Sequence, residues 1–174
     1  MTNQSCILTR KPNDFFSFNS EDSSLLFRYH NKVMKRGDWA KNISLPISVF
    51  NNYSLSALEA ITKYIKEEIG LSYKQIASIL NRDERTIWGA YNYSKKKMQE
   101  RFLLTYSKFY IPLPIFKERS LSVLETIIEY LKEELNLRYC QIAALLNRDD
   151  RTIWTVYNRA KKKRRRIRYE KILS

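Results

Sequence analysis

The chain has little glycine, cysteine or histidine, and each shortage excludes a class of fold or site. Only 3 of its 174 residues are Gly, which disfavours glycine-rich phosphate loops and β folds with many turns. Two cysteines, Cys6 and Cys140, and one histidine, His30, cannot build a disulfide framework or a zinc site. The sequence therefore predicts no metal and no cofactor, and it assigns no chemistry to Cys140.

Long apolar segments are also missing. No run of apolar residues approaches the 18 or so that a membrane helix needs, and the first residues do not form a signal peptide. We therefore expect no membrane partner. The expected location is cytoplasmic and nucleoid-associated, or nuclear if the host is a eukaryote.

Residues arranged for catalysis are equally scarce. The sequence shows no nucleophile–base pair, no metal cluster and no phosphate loop. The paired acids Glu67–Glu68 and Glu133–Glu134 occupy consecutive positions of an amphipathic helix, where a solvated face is their expected role. We expect that the protein is not an enzyme.

Positive charge is what the sequence has in excess. It contains 32 Lys and Arg against 18 Asp and Glu, a formal net charge of +14. The excess is uneven, at +3 over residues 1–42, +4 over 43–110 and +7 over 111–174. Such an excess implies a polyanionic partner, with nucleic acid first and an anionic membrane surface second. Solubility alone is the remaining alternative, and the uneven distribution argues against it.

An internal repeat organises the chain. Residues 45–97 align without a gap on residues 111–163, at a constant offset of 66, and 30 of the 53 positions are identical. The shared runs include NRD, RTIW and a triple lysine. Chance does not produce such a match, so the chain contains a duplicated domain. What holds for one copy is expected to hold for the other.

Each copy begins with the signals of one amphipathic helix. In the first copy Ser56 and Glu59 fit a capping box, and apolar residues follow at helical spacing. Gly70 stands where a left-handed residue would end the helix. The equivalents in the second copy are Ser122, Glu125 and Asn136.

Two more helices follow in each copy, separated by a tight turn. Ser72 caps a short helix, Asn81 makes the turn, and Asp83 caps a third helix that begins near Glu84. Ile87 and Tyr91 would face the core. In the second copy the turn is Asn147, the cap is Asp149, the helix begins near Asp150, and the inward residues are Ile153 and Tyr157. A short helix, a tight turn and a longer basic helix are typical of the helix-turn-helix.

The predicted fold is all-α, with two homologous three-helix helix-turn-helix domains in tandem after a short N-terminal helical extension. The extension covers residues 1–42 and has one helix at 21–36. The first domain covers 43–98, the linker 99–110, and the second domain 111–174 with a basic C-terminal tail. The linker is too apolar to float free, so it either extends the third helix or packs on a domain. The segments LPISVF and IPLPIF before each domain predict extended arms.

The repeated segment resembles a known DNA-reading domain. LSYKQIASILNRDERTIWGAYNYSKKK and LRYCQIAALLNRDDRTIWTVYNRAKKK are similar to the C-terminal, promoter-reading domain (region 4) of bacterial sigma factors. The shared features are an Ile-Ala pair on the first short helix and a capping residue with a Thr-aliphatic pair opening the second. Two such domains in tandem are not the sigma layout. The resemblance therefore implies a DNA-reading fold, without implying a sigma factor.

Base contact is predicted for outward residues early in the third helix of each copy. Arg can bond guanine bidentately, Asn can bond adenine, and an acid can accept from cytosine. The candidates are Glu84, Arg85, Trp88 and Asn92 in the first copy and Asp150, Arg151, Trp154, Thr155 and Asn158 in the second. For the two Arg residues, an ion pair with the flanking acids is the alternative.

The two tryptophans leave two interpretations open. Each follows the buried Ile by one residue, which places it at the edge of the core. The indole either packs across the first helix or contacts a thymine methyl or a sugar-phosphate strand.

Phosphate contact is predicted for the threonines near the start of the third helices and for the basic runs at their ends. Such runs release counterions and give affinity without sequence information. The candidates are Thr86, Lys95, Lys96, Lys97, Thr152, Arg159, Lys161, Lys162, Lys163, Arg164, Arg165 and Arg166. A solvated basic tail is the alternative for the last of these.

These features predict a sequence-preferring protein that binds duplex DNA, most simply a transcriptional regulator that reads two similar half-sites. The alternatives are a DNA-organising or genome-maintenance protein of a plasmid, virus or mobile element, including a recombinase accessory, and an RNA-binding module. We expect a monomer on two half-sites, in direct rather than inverted orientation, or a weak homodimer. RNA polymerase or another protein is a candidate partner of the N-terminal extension.

Overall fold

The part of the chain that the structure describes, residues 43–103 and 107–173 of a computed structural model, is mostly helical. It contains six α-helices and one two-stranded sheet, so the expectation of an all-α fold is confirmed. None of the helices in these ranges is both long and apolar enough to cross a membrane. The helix predicted at 21–36 lies outside the described residues.

The first repeat is an extended arm followed by three helices. The arm consists of strand β1 (Ser44–Pro46) and a 3₁₀ segment (Ile47–Phe50). The helices are α1 (Ala57–Tyr64), α2 (Tyr73–Leu80) and α3 (Glu84–Lys97). A π-helical segment, Ile65–Ile69, extends α1 as far as Gly70, whose φ of 79° ends the helix as predicted.

The second repeat has the same order of elements. Its arm consists of strand β2 (Tyr110–Pro112) and a 3₁₀ segment (Leu113–Lys117). Its helices are α4 (Val123–Glu133), α5 (Tyr139–Leu146) and α6 (Asp150–Leu173). The predicted arms are therefore extended for three residues each and then form one 3₁₀ turn.

The local signals that define these helices act as the sequence predicts. Ser56 and Glu59 form a complete capping box at α1, and Ser122 and Glu125 form one at α4. Both boxes satisfy amides that a helix start leaves without partners. The asparagines at the predicted turns are left-handed, with φ of 50° at Asn81, 50° at Asn136 and 51° at Asn147.

The two arms pair with each other around an approximate two-fold axis. β1 and β2 are antiparallel, and Leu45 lies opposite Ile111, its own equivalent in the repeat. The flanking hydrogen bonds are also symmetric, because the Ile47 amide donates to the Phe109 carbonyl at 3.0 Å and the Leu113 amide donates to the Ile43 carbonyl at 2.8 Å. Each bond maps onto the other under the 66-residue offset.

The arms are exchanged between the repeats. The 3₁₀ segment of the first repeat packs on α5 of the second, and the 3₁₀ segment of the second packs on α2 of the first. Helices α1 and α4, which are equivalent, contact each other across the axis. The buried apolar residues of both repeats form one hydrophobic core. The repeats are therefore joined by paired strands, exchanged arms and a shared core as well as by the linker.

The linker packs on this core. Helix α3 ends at Lys97, and Met98, Phe102 and Phe109 lie against the core. The Phe102 ring meets the Tyr64 ring edge-on, with centroids 6.3 Å apart. Of the two alternatives for the linker, packing is confirmed and an extended third helix is wrong. The domain boundaries at 43–98, 99–110 and 111–174 stay predictions.

One cysteine differs from expectation. Cys140, to which the sequence assigned no chemistry, is disulfide-bonded. The other cysteine of the chain, Cys6, lies outside the described residues.

Candidate nucleic-acid interface

The third helix of each repeat is positioned by its turn and its cap. Asn81 ends α2 in the left-handed conformation, and the Asp83 carboxylate accepts from the Arg85 amide at 2.8 Å to start α3. Ile87, one turn into the helix, is fully buried and fixes which side faces the core. The same roles fall to Asn147, Asp149, Arg151 and Ile153 in the second repeat. The opposite sides of α3 and α6 are therefore presented outward.

The charged residues at the start of these helices are free to meet a partner. Glu84, Arg85, Asp150 and Arg151 are all exposed. Within the described residues, neither Arg85 nor Arg151 forms an ion pair. The alternative of a local ion pair with the flanking acids is therefore wrong for both arginines.

The tryptophans lie at the surface of the third helices. Trp88 is 54% exposed and Trp154 is 55% exposed, so neither is a core residue. An indole kept in water loses the free energy that burial would give it, about 25 cal/mol for each Å² of apolar surface. The two indoles therefore form equivalent exposed apolar surfaces on the third helices of the two repeats.

The polar candidates further along the helices are partly engaged. The Asn158 amide donates to the Trp154 carbonyl at 3.0 Å, and the Thr155 hydroxyl donates to the Arg151 carbonyl at 2.7 Å. The amide nitrogen of Asn92 is buried and has no hydrogen-bond partner. Asn92 lies in a shallow depression with Trp88, Lys95, Lys96 and Gln99. This depression is the part of α3 where an unused donor, an indole and two cations meet.

The predicted phosphate contacts divide into free and paired groups. Exposed side chains without an ion pair in the described chain are Thr86, Lys95, Lys96, Thr152, Arg159, Lys161, Lys162, Arg165 and Arg166. Lys95 and Lys161, which are equivalent, lie over the Tyr91 and Tyr157 rings at 5.7 and 5.4 Å. The paired group is Lys97, Lys163 and Arg164.

The paired lysines, at equivalent positions of the two third helices, connect each of these helices to the start of the first helix of its repeat. Lys97 bonds Glu59 at 2.9 Å, and Lys163 bonds Glu125 at 2.7 Å. Partial burial opposes ionisation of both carboxyl groups, but hydrogen bonds from the lysine and from the capping serine outweigh it and lower each pKa. The same carboxylates complete the capping boxes, so each one connects the third helix of its repeat to the start of the first helix.

A second pair of contacts strengthens this connection nearer the helix middle. The Tyr91 hydroxyl donates to Glu67 at 3.3 Å, and the Tyr157 hydroxyl donates to Glu133. The bond to Glu133, followed by partial burial, raises the pKa of Tyr157 to about 12. The acid pairs Glu67–Glu68 and Glu133–Glu134 therefore contribute one member each to packing.

These lysine–glutamate ion pairs predict a specific acid sensitivity. A carboxylate whose pKa is lower in the folded state stabilises the fold above its unfolded pKa, and that contribution is lost as pH falls through the folded value. We expect Glu125→Gln, which keeps the cap acceptor and loses the charge, to cost about 0.5–1 kcal/mol at pH 7. The difference in Tm from the wild type should close as pH falls below 4.5, the ordinary pKa of a glutamate. Thermal melts between pH 7 and 3 measure it.

Glu100→Gln is the matched control for this prediction, because Glu100 is exposed and forms no ion pair in the described chain. Its Tm should follow the wild type at every pH. A Glu125→Gln gap that stays constant down to pH 3 would show that the ion pair adds nothing to stability.

Helix α6 is longer than α3, with 24 residues against 14, and the predicted basic tail is its last part. Arg164 lies on the part of α6 that has no counterpart in α3, and it bonds Glu129 at 2.8 Å and Glu118 at 2.5 Å. In the first repeat Met98 replaces the arginine, and the position of Glu129 is Lys63, which is buried and pairs with Glu67. The basic run 161–168 is thus carried on an ordered helix.

A cationic groove lies on the two-fold axis, and sequence reasoning missed it. This axial groove of about 670 Å³ is lined by equivalent residues of both repeats, which places it on the axis. Its five charged lining residues are all basic: Arg82, Lys97, Arg119, Arg148 and Lys163. Arg82 and Arg148 directly precede the caps of α3 and α6, so both outward helices begin beside the groove. The sequence signal for this groove was that both arginines occur in the repeated NRD run. The sequence predictions assigned roles only to the asparagine and the aspartate on either side of each arginine.

No group of three or more potential metal ligands occurs within the described residues. No protein-family model, curated protein or solved structure matches the chain. Its function is therefore inferred from its own residues and their geometry.

Proposed function

We propose that the protein binds duplex DNA with sequence preference and acts as a transcriptional regulator, with α3 and α6 as two reading helices. The observation that carries this proposal is the pair of equivalent outward faces. Each presents an unpaired arginine, an exposed tryptophan and unpaired lysines at the same positions of its helix. Apolar surface rimmed by polar residues marks interaction sites, and here it occurs at equivalent positions of both repeats.

The backbone supports a helix-turn-helix interpretation. In each repeat an eight-residue helix ends in a left-handed asparagine, and a longer helix begins three residues later. In a helix-turn-helix the second helix enters the major groove and its N-terminal residues contact base edges. The resemblance to the promoter-reading domain of sigma factors covers this segment and agrees with the assignment.

The side chains divide by the contact that each type can make. Arg85 and Arg151 carry free guanidinium groups, the side chain best suited to guanine in the major groove. Asn92 keeps an unused amide nitrogen, which suits adenine only after its amide turns to face the base. The lysines and arginines later in each helix, which carry no sequence information, would hold the phosphates.

The two-fold arrangement changes the expected orientation of the half-sites. Direct half-sites were expected because a free linker leaves two reading helices independent. The paired strands and exchanged arms remove that freedom and relate α3 to α6 by an approximate two-fold axis. A two-fold axis in the protein requires a two-fold axis in its binding site. We therefore propose inverted half-sites bound by one monomer.

Several expectations about partners and location stay proposals. They are nucleoid association, RNA polymerase or another protein as a partner of residues 1–42, and a weak homodimer. A DNA-organising or genome-maintenance role would use the same surface with less base discrimination. An RNA-binding role would have to avoid the major groove, which in A-form duplexes is too deep and narrow for a helix.

Selection of bound duplexes from a random pool, followed by affinity measurements on the winners, tests the proposal. Arg85→Ala or Arg151→Ala should cost about 1–3 kcal/mol of binding and relax the preference at one base pair of a half-site. Lys162→Ala removes an equally exposed charge from α6 and should weaken all duplexes alike. A matched RNA hairpin should bind less tightly than the duplex.

The result that overturns the proposal is a pool that acquires no preferred sequence, with the arginine and lysine variants losing affinity equally. Uniform coating of many fragments would favour the DNA-organising alternative. Equal or tighter binding of the hairpin would favour the RNA-binding one.

A further inference from the structure

We propose that the axial groove is a binding site for phosphate groups, recognised by the guanidinium groups of Arg82, Arg119 and Arg148. The groove lies outside the outward faces of α3 and α6 that would read bases. The phosphates have two candidate sources. One is the backbone of a bound duplex at the centre of its two half-sites, and only this source depends on the proposed function. The other source is a free polyphosphate or nucleotide.

The three arginines carry uncompensated charge. Within the described residues none of them forms an ion pair. Partial burial, followed by the charge of Arg119, lowers the pKa of Arg82. The Nε of Arg82 is buried and has no hydrogen-bond partner. Like charges held together with an unused buried donor destabilise a fold, and a bound anion would remove both costs.

The acids near the groove are already engaged. Glu59 is held by Lys97, Glu125 by Lys163, and Glu118 by Arg164. The capping boxes at Ser56 and Ser122 already engage the amides of the two serines and of Glu59 and Glu125. Because Lys97 and Lys163 are paired, the unpaired cations of the groove are its three arginines. Guanidinium groups bond two phosphate oxygens at once, which suits this donor set to phosphate oxygens.

The position of the groove also fits a phosphate strand. It lies on the axis that relates the repeats, and it contains Arg82 and Arg148 as an equivalent pair. These residues come two positions before Glu84 and Asp150, the first residues of α3 and α6. A phosphate strand crossing the axis between the two outward helices would meet both arginines. Each repeat contributes part of the site, so the paired form is needed to build it.

The test uses sodium pyrophosphate as the probe and Tm of the full chain as the readout. Sodium chloride at the same ionic strength corrects for screening. Pyrophosphate should raise the Tm of the wild type by roughly 2–4 °C once its concentration exceeds Kd several-fold. The Arg82→Gln/Arg148→Gln variant should lose this rise. Arg119→Gln, at an exposed residue, should lose part of it and melt higher than the wild type without pyrophosphate.

Lys74→Gln/Arg138→Gln is the matched control, because it removes two exposed positive charges that do not line the groove. It should keep the full rise in Tm. The proposal is wrong if pyrophosphate does not raise the Tm of the wild type. It is also wrong if pyrophosphate raises the Tm of the groove variant, Arg82→Gln/Arg148→Gln, by the same amount as that of the wild type. If Arg82→Gln/Arg148→Gln does not fold, Arg119→Gln decides alone.

Duplex binding by the same variants identifies the source of the phosphates. If DNA supplies them, the groove variant should lose affinity for all sequences alike, and its salt slope should fall by about one for each phosphate that it no longer binds. If a free anion supplies them, the groove variant loses the pyrophosphate effect and keeps its affinity for DNA. If pyrophosphate stabilises the chain but the chain binds no duplex, the proposed function is refuted. The proposal of a phosphate site in the axial groove then still stands.

Discussion

A duplex with two inverted half-sites should bind this protein about 10²–10⁴-fold more tightly than the same half-sites in direct orientation. Tethering makes the second contact a local event, but only when the geometry lets both reading helices engage together. In this chain the geometry is fixed by Leu45 opposite Ile111 and by arms that cross between the repeats. On direct half-sites either α3 or α6 could bind its half-site. The other helix would then not be aligned with the second half-site.

The experiment compares one half-site sequence in inverted, direct and single arrangements, at one salt concentration. The inverted spacing that binds best should place the half-site centres about one helical turn, roughly 34 Å, apart. Inserting five base pairs rotates one half-site by about half a turn and should abolish the gain, and ten should partly restore it.

Arg151→Ala supplies the control for this prediction. On inverted half-sites it should again cost about 1–3 kcal/mol, whereas on direct half-sites, where α3 can bind alone, its effect should be smaller. Equal affinity for all three arrangements would mean that one reading helix binds at a time. A preference for direct half-sites would show that the two-fold axis does not survive binding.

The helices of each repeat could be predicted from sequence because their signals are local. Ser56 with Glu59, Asn81 at a positive φ, and Asp83 before Arg85 each act within four residues of the chain. Such contacts form at little cost in chain entropy, and the sequence pattern alone identifies them. Helices predicted to begin near Glu84 and Asp150 begin at these residues.

The exchange of arms could not be predicted because it joins segments 66 residues apart. Each arm has a short apolar pattern that would fit its own repeat or the other one equally well. Antiparallel pairing of Leu45 with Ile111 is decided by how both repeats pack at once, which a pattern along one segment does not contain.

Non-local packing also decides which basic residues form ion pairs and which stay unpaired. Lys97 and Lys96 look alike in a triple lysine, yet only Lys97 reaches Glu59, 38 residues earlier in the chain. The tryptophans were ambiguous for a related reason, since a residue next to a buried Ile sits at the edge of a helical face. Whether it turns inward depends on neighbours from other segments, and here it does not.

The two repeats should unfold as one unit, and neither should fold alone. Leu45 and Ile111 are both fully buried at the axis, and each arm covers a helix of the other repeat. Residues 43–98 by themselves would lose the cover over α2 and the partner of β1. We therefore expect this fragment to lack a cooperative melt. In the full chain, Ile111→Ala should lower the free energy of unfolding by about 2–5 kcal/mol, the usual cost of a cavity in a core.

Ile172→Ala is the matched control, because Ile172 is 73% exposed on the last turns of α6 and the same change there should cost no more than about 0.5 kcal/mol. Circular dichroism melts and amide exchange measure both variants, and exchange should speed up in the first repeat as well as in the second after Ile111→Ala. Mixing residues 43–98 with residues 99–174 should restore the fold if the arms exchange between the repeats. An isolated 43–98 that melts cooperatively near the Tm of the full chain would contradict the shared core. It would also mean that the two domains are independent, and independent domains are the basis for expecting direct half-sites.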